Sequence, residues 1–123
     1  MPRYFNPYIH NDSYVFCSVP EDLYNKCLDL KPLAMVRENE GVSFVIREES
    51  AKSIPVMISN PMKCISLNIK TDLEEVGISA KISQLLAQNH ISCNIVAGYH
   101  HDHILVPKDS AQKAARLIQA LSI

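Results

Sequence analysis

Three histidines and an aspartate occupy four consecutive positions, His100, His101, Asp102 and His103, within the stretch GYHHDHILVP, in a chain with only five histidines. Imidazoles in such a run can ligate a metal or move a proton. On a strand, His101 and His103 project to one face and His100 and Asp102 to the other, because successive side chains alternate. Two imidazoles at i and i+2 can chelate zinc or nickel, but a stable site needs a third ligand and usually a fourth. His10 and His90 have no spacing that brings them there. A nucleotide-hydrolysing histidine triad alternates histidine with apolar residues, whereas this run has Asp102 and Leu105 where the pattern fails. We therefore expect a hairpin tip, turned by Gly98 and Tyr99, with Ile104 and Val106 returning to the core. His101, Asp102 and His103 then offer a secondary contact, with Asp102 raising the pKa of a neighbouring imidazole. The competing reading is a metal- or nucleotide-dependent enzyme built on His100–His103. No phosphate-binding G-x-x-x-x-G-K, serine elbow or paired Cys/His motif accompanies it. We expect no catalytic residue, no metal and no cofactor.

A second stretch with chemical potential is TDLEEVGIS, residues 71–79. Gly77 allows the backbone to come close to a ligand, and the free N–H groups of a first helical turn bind a carboxylate. Asp72, Glu74 or Glu75 can pair with an α-amino group. Asn94 carries donor and acceptor on one side chain and can read either end of an amino acid. The same residues also fit plainer roles: Thr71 with Glu74 reads as a capping box, and the acids read as a solvated cluster.

These residues must be positioned by the elements around them. The first fourteen residues, rich in Pro, Asn and Asp, read as an irregular arm. YVFCSV (14–19) reads as a strand, and Ser18 with Glu21 reads as a capping box opening a short helix through Leu28. LAMVRE and SFVIRE flank Gly41 as a hairpin. SIPVMIS reads as a weaker strand, and NPM (60–62) as a turn between the halves. CISLNI (64–69) alternates Ile65, Leu67 and Ile69 against Ser66 and Asn68. Ile78, Ile82, Leu85 and Leu86 recur at helical spacing up to Asn89 and His90. ISCNIVA and HILVP read as strands, and Asp109 with Gln112 as a cap for a last helix with apolar positions Ala111, Ala114, Ala115, Ile118 and Leu121. Strand, helix, strand, strand, helix implies a mostly antiparallel sheet with helices on one face, a ferredoxin-like α+β fold.

At 47% hydrophobic and 20% charged, the composition is globular, and a net charge of −1 leaves no basic face for nucleic acid or an acidic membrane. No apolar run reaches the roughly 20 residues of a membrane span, and the start has no apolar signal core, so a cytoplasmic location is expected. Cys17, Cys27, Cys64 and Cys93 are scattered without a C-x-x-C pair and read as buried small hydrophobes.

KTDLEEVGISAKISQLLAQNHISCNIVAG resembles an ACT domain, the amino-acid-sensing module attached to aspartate kinases. GYHHDHILVP, with YVFCSVP and EGVSFVI, extends the resemblance to small bacterial stand-alone tandem ACT proteins. The resemblance implies two ferredoxin-like βαββαβ modules packed together, a degenerate one at 1–61 and a second at 62–123. It implies a site formed by Thr71, Asp72, Val76, Gly77, Ile78 and Ser79, with Asn94 and Val96 lining it. The function so implied is non-catalytic: an allosteric regulator of amino-acid metabolism that binds a small molecule, an amino acid, and acts through ligand-dependent association. Expected partners are a second copy in a homodimer, since open sheet edges invite pairing, and a protein target; nucleic acid and membrane are not expected.

Overall fold

A computed structural model of the chain describes residues 4–69 and 75–122. Its described residues form a mixed α/β fold of six strands and four α-helices, with antiparallel pairing in both hairpins. By contacts the chain divides into two units, one Asp12–Met62 and the other Met1–Asn11 together with Lys63–Ile123. The division falls within the first strand, β1 (Pro7–Val19).

In the unit Asp12–Met62, β1 pairs antiparallel with β3 (Gly41–Arg47), from Tyr14 opposite Arg47 to Val19 opposite Val42. β2 (Ala34–Glu38) closes the expected hairpin on β3, with Glu38 opposite Gly41. Gly41 sits at φ 151°, and a Cβ there would lie 2.9 Å from the Val19 carbonyl oxygen, so the turn requires glycine. Alternate residues Val15, Cys17 and Val19 of β1 and Val42, Phe44 and Ile46 of β3 join one core with Cys27 of α1 (Tyr24–Asp29) and Ala51 of α2 (Glu48–Ala51).

The expected strand SIPVMIS does not form. Pro55 has no N–H to donate, Met57 is 93% exposed, and Ile54 alone of the run is buried. What pairing remains is made by Ser59, whose N–H donates to the Phe16 carbonyl at 3.0 Å and whose Oγ accepts the Phe16 N–H at 2.8 Å.

The other unit orders its strands β1-β4-β6-β5, with β4 at Met62–Leu67, β5 at Asn94–Ala97 and β6 at Asp102–Pro107. The N-terminal stretch is not an irregular arm, since β1 begins at Pro7. Phe5 is fully buried and Ile9 packs against the same core, a period-two pattern that Pro, Asn and Asp obscured. Proline is tolerated at the first strand position, and the Asn6 carbonyl accepts the Asn68 N–H at 3.1 Å. Ile65 and Leu67 of β4 and Ile104 and Val106 of β6 face two helices: α3 (Ile78–Gln88), through Ile78, Ile82 and Leu86, and α4 (Ala111–Ala120), through Ala111, Ala114 and Ile118.

Helix α3 ends where its sequence indicates. His90 takes φ 57°, its N–H reaches the Ala87 carbonyl at 3.0 Å and the Ile91 N–H reaches the Leu86 carbonyl at 2.9 Å, a Schellman closure. The capping boxes at Ser18/Glu21 and Asp109/Gln112 do not form. A 3-10 turn precedes each helix, at Glu21–Leu23 and Lys108–Ser110, so the spacing no longer matches the α-helical start, and no side-chain cap bond is made. The Thr71/Glu74 pair lies outside the described residues.

Candidate functional site

Two places carry the sequence-indicated chemistry. At the first, Thr71 and Asp72 lie outside the described residues. Gly77 is the N-cap of α3 at φ 91°, and a Cβ built there meets nothing within 4 Å among the described residues. Glycine is favoured here by conformation. The N-cap Gly77 makes no side-chain cap bond, and the first N–H groups of the helix have no intrahelical partner. Val76 is 95% exposed and Ser79 is exposed, whereas the Ile78 side chain is buried in the core and offers a ligand only its backbone.

Asn94 and Val96 stand on β5 opposite Leu105 and His103 of β6, while Ile95 between them packs on the core. Asn94 and Val96 therefore belong to the sheet face turned away from the helices.

That face holds the second place. The β5–β6 loop turns as expected: the Gly98 N–H donates to the His101 carbonyl at 2.9 Å, and a Cβ on Gly98 would lie 2.8 Å from that oxygen. His103 then enters β6 beside β4, where Ser66 Oγ lies 2.5 Å from His103 Nδ1 and 2.6 Å from His10 Nε2. Ser66 is only 6% exposed, the buried polar residue among those described. A hydroxyl has one hydrogen, so Ser66 donates to one ring nitrogen and accepts an N–H from the other. Cys64, on the same face of β4, has its Sγ 4.0 Å from Ser66 Oγ. One ring nitrogen of His10, one of His103 and the Cys64 Sγ all lie within 4.8 Å of one another.

The electrostatics differ from expectation. Burial, then repulsion from His10 and His101, holds His103 below the usual imidazole range, and Asp102 acts in the opposite direction without reversing the sum. The thiol of Cys64 is pushed up by burial, with the Ser66 hydrogen bond opposing. His101 shares no bond with the cluster that the structure displays; its Nδ1 is buried with no hydrogen-bond partner. All four cysteines are free; Cys17, Cys27 and Cys64 are buried, whereas Cys93, expected to be buried, is half-buried.

Sequence reasoning missed His10, Cys64 and Ser66. Period two on CISLNI does put Ser66 opposite the core, and Cys64 with it, but His10 was assigned to an arm without structure.

Two family models, each described as an ACT domain, match residues 3–63 and 44–120. This chain belongs to the ACT-domain family. An ACT fold was the expectation from the Gly77 region and the opening motif, and the helix-backed antiparallel hairpins agree with it. A Vibrio cholerae protein of unknown function, described as a possible transport protein, is 37% identical with TM-score 0.87, over 95% of this chain and 88% of that one. The ligand-free regulatory subunit of aspartate kinase from Thermus thermophilus has TM-score 0.72 at 11% identity, over 98% of this chain and 99% of that one. Aspartokinase III of E. coli, in complex with aspartate and ADP, has TM-score 0.70 at 11% identity, over 95% of this chain and 33% of that one. At 11% identity these two share the fold. No curated protein matches the sequence. Among the described residues, no helix is long and apolar enough to cross a membrane.

Proposed function

We propose that this ACT protein is a non-catalytic regulator that binds an amino acid and transmits its presence through ligand-dependent association. The observation that carries the reading is the start of α3 in a family of regulatory domains. Gly77 at φ 91° starts α3 without a side-chain cap bond, and no described residue lies within 4 Å of a Cβ built there, so the first-turn N–H groups suit a carboxylate. In this reading the ligand-binding residues are Thr71, Asp72, Val76, Gly77, Ser79 and the Ile78 backbone, together with Asn94 and Val96 of β5. The chain is read here as two ferredoxin-like modules, 1–61 and 62–123. It works in the cytoplasm as a two-fold homodimer with a protein target. An amino acid shifts the association only by as much as it prefers one arrangement over the other.

A panel of amino acids in a thermal-shift assay, followed by calorimetry on the strongest, tests this. Gly77→Val is expected to abolish most binding by forcing a β-branched residue into a left-handed conformation at the helix start. Asn94→Ala is expected to weaken it several-fold to tenfold, about 0.5–1.5 kcal/mol per lost hydrogen bond. Undiminished affinity in both folded variants moves the site elsewhere, and no binding by the wild type removes the reading. Light scattering at the 13.8 kDa monomer mass, with and without ligand, removes the association step.

A further inference from the structure

We propose that His10, Cys64 and His103 form a binding site for a borderline divalent transition-metal cation of the zinc class, on the sheet face turned away from the helices. The three residues come from β1, β4 and β6, which are consecutive in the strand order of their unit. Neighbouring strands lie about 4.8 Å apart, so a short ligand on the middle strand and a long one on each flank converge over the middle strand. The residues fit that pattern, with cysteine on β4 between histidines on β1 and β6. Their ligating atoms lie within 4.8 Å of one another, whereas the edge of a zinc tetrahedron with these ligands is about 3.3–3.6 Å. Rotation of the two imidazoles closes the difference without moving a strand.

The donor chemistry selects the ion. Two imidazole nitrogens and one thiolate suit zinc or cobalt over calcium or magnesium, which prefer oxygen. Cys64 is 1% exposed and in no disulfide. Metal binding converts its S–H into a sulfur–metal bond and releases the proton to solvent. The Ser66 hydroxyl stands between the two rings and must swing aside or take the fourth position when the ion enters. The pair His101 and His103, adjacent on one strand face by sequence, is not the metal pair; the fold supplies His10 as the second imidazole. The site is independent of the amino-acid reading at Gly77.

The experiment uses the full chain, stripped with EDTA and titrated with Co²⁺, then Zn²⁺. One Co²⁺ per chain is expected, with a thiolate-to-cobalt charge-transfer band that Zn²⁺ abolishes. Cys64→Ser should lose that band, and His10→Gln should weaken binding at least about 10-fold, the least that loss of even a ligand's hydrogen-bond partner costs. Zn²⁺ should also protect Cys64 from alkylation in the wild type. Circular dichroism establishes that each variant is folded. Should Cys64→Ser not fold, the half-exposed His10→Gln and the alkylation readout decide. Absence of the thiolate band in the folded wild type overturns the site, as does unchanged Co²⁺ affinity in folded His10→Gln.

Discussion

From β1 in one unit and from β4 in the other, the chain runs strand, helix, strand, strand, helix, and each unit turns an apolar sheet face toward its helices, yet their opposite faces differ in kind. In Asp12–Met62 that face carries Phe16, Ser18, Val36, Glu38, Ser43 and Val45, with Ser43 donating to the Glu38 carboxylate near the surface. In the other unit it carries His10, Cys64, Ser66, Val96, His103 and Leu105, with a buried hydroxyl bridging two imidazoles. The helix-side face is constrained by core packing in both units, so its alternation is the same. The opposite face escapes that constraint and can hold titratable and metal-ligating groups in one unit and simple polar side chains in the other.

The largest expected effects test the shared half of the comparison. Phe44 and Ile104 are both fully buried, one in each core. Phe44→Ala should cost about 3–5 kcal/mol and Ile104→Ala about 2–5 kcal/mol, from lost transfer energy and a residual cavity. Urea denaturation measures both. A loss below about 1 kcal/mol in either unit would mean that its core collapses around the gap and does not define the fold as the other does.

The unshared half is tested by serine. Ser66→Ala in metal-free protein removes the hydroxyl between His10 and His103 and leaves two ring nitrogens without that partner. A cost of about 1–3 kcal/mol is expected. Ser43→Ala, on the corresponding face of the other unit, should stay within about 0.5 kcal/mol because its bond to Glu38 is exposed. Equal costs, read from the same denaturation curves, would erase the difference between the two faces.

Two glycines sharpen the comparison further. Both have positive φ, 151° at Gly41 and 91° at Gly77, but among the described residues only Gly41 of the two is crowded: a methyl group there would lie 2.9 Å from the Val19 carbonyl oxygen and 3.0 Å from Ser18 Oγ. Gly77→Ala should cost about 1–2 kcal/mol from backbone conformation alone. Gly41→Ala should exceed it, since the hairpin must also shift away from backbone. The reverse order would show that the α3 start is held more tightly than its described surroundings imply.

How far the sequence foretold these features follows from which forces act locally. Ile78, Ile82 and Leu86 mark a helix because one buried stripe serves one core, and Gly41 marks a hairpin because the turn needs its conformation. The strand at Pro7 was hidden by turn-forming residues, although Phe5 and Ile9 already alternate. The pairing of His10 with His103 was not legible at all. It joins residues far apart in sequence through strand order, and a single buried serine on β4 sets the contact. Asp102 is the reverse case: adjacency suggested that it would raise the pKa of a neighbouring imidazole, but burial and two more distant rings outweigh it at His103.

The smallest effect appears only in alkali. Cys17 and Cys27 lie in the core of Asp12–Met62, and burial pushes both thiols above their ordinary value of about 9, with repulsion between them adding to the rise at Cys17. A thiol whose folded pKa exceeds its unfolded one keeps its proton longer in the native state. The unfolded chain then holds fewer protons, and stability falls as pH rises. Their contribution is complete below pH 9.0 and is lost as pH climbs from there toward the raised folded values. Cys64 and Cys93 of the other unit are raised by burial as well, so the wild-type protein loses stability through thiols in both units. Replacing Cys17 by Val and Cys27 by Ala should leave a shallower decline, carried by Cys64 and Cys93, while the curves of the two proteins run parallel at neutral pH. Denaturation midpoints taken on either side of pH 9.0 measure this. An unchanged alkaline slope in the double variant would show that Cys17 and Cys27 titrate in the fold as they do in the open chain, and that only the imidazole-bearing unit couples proton binding to folding.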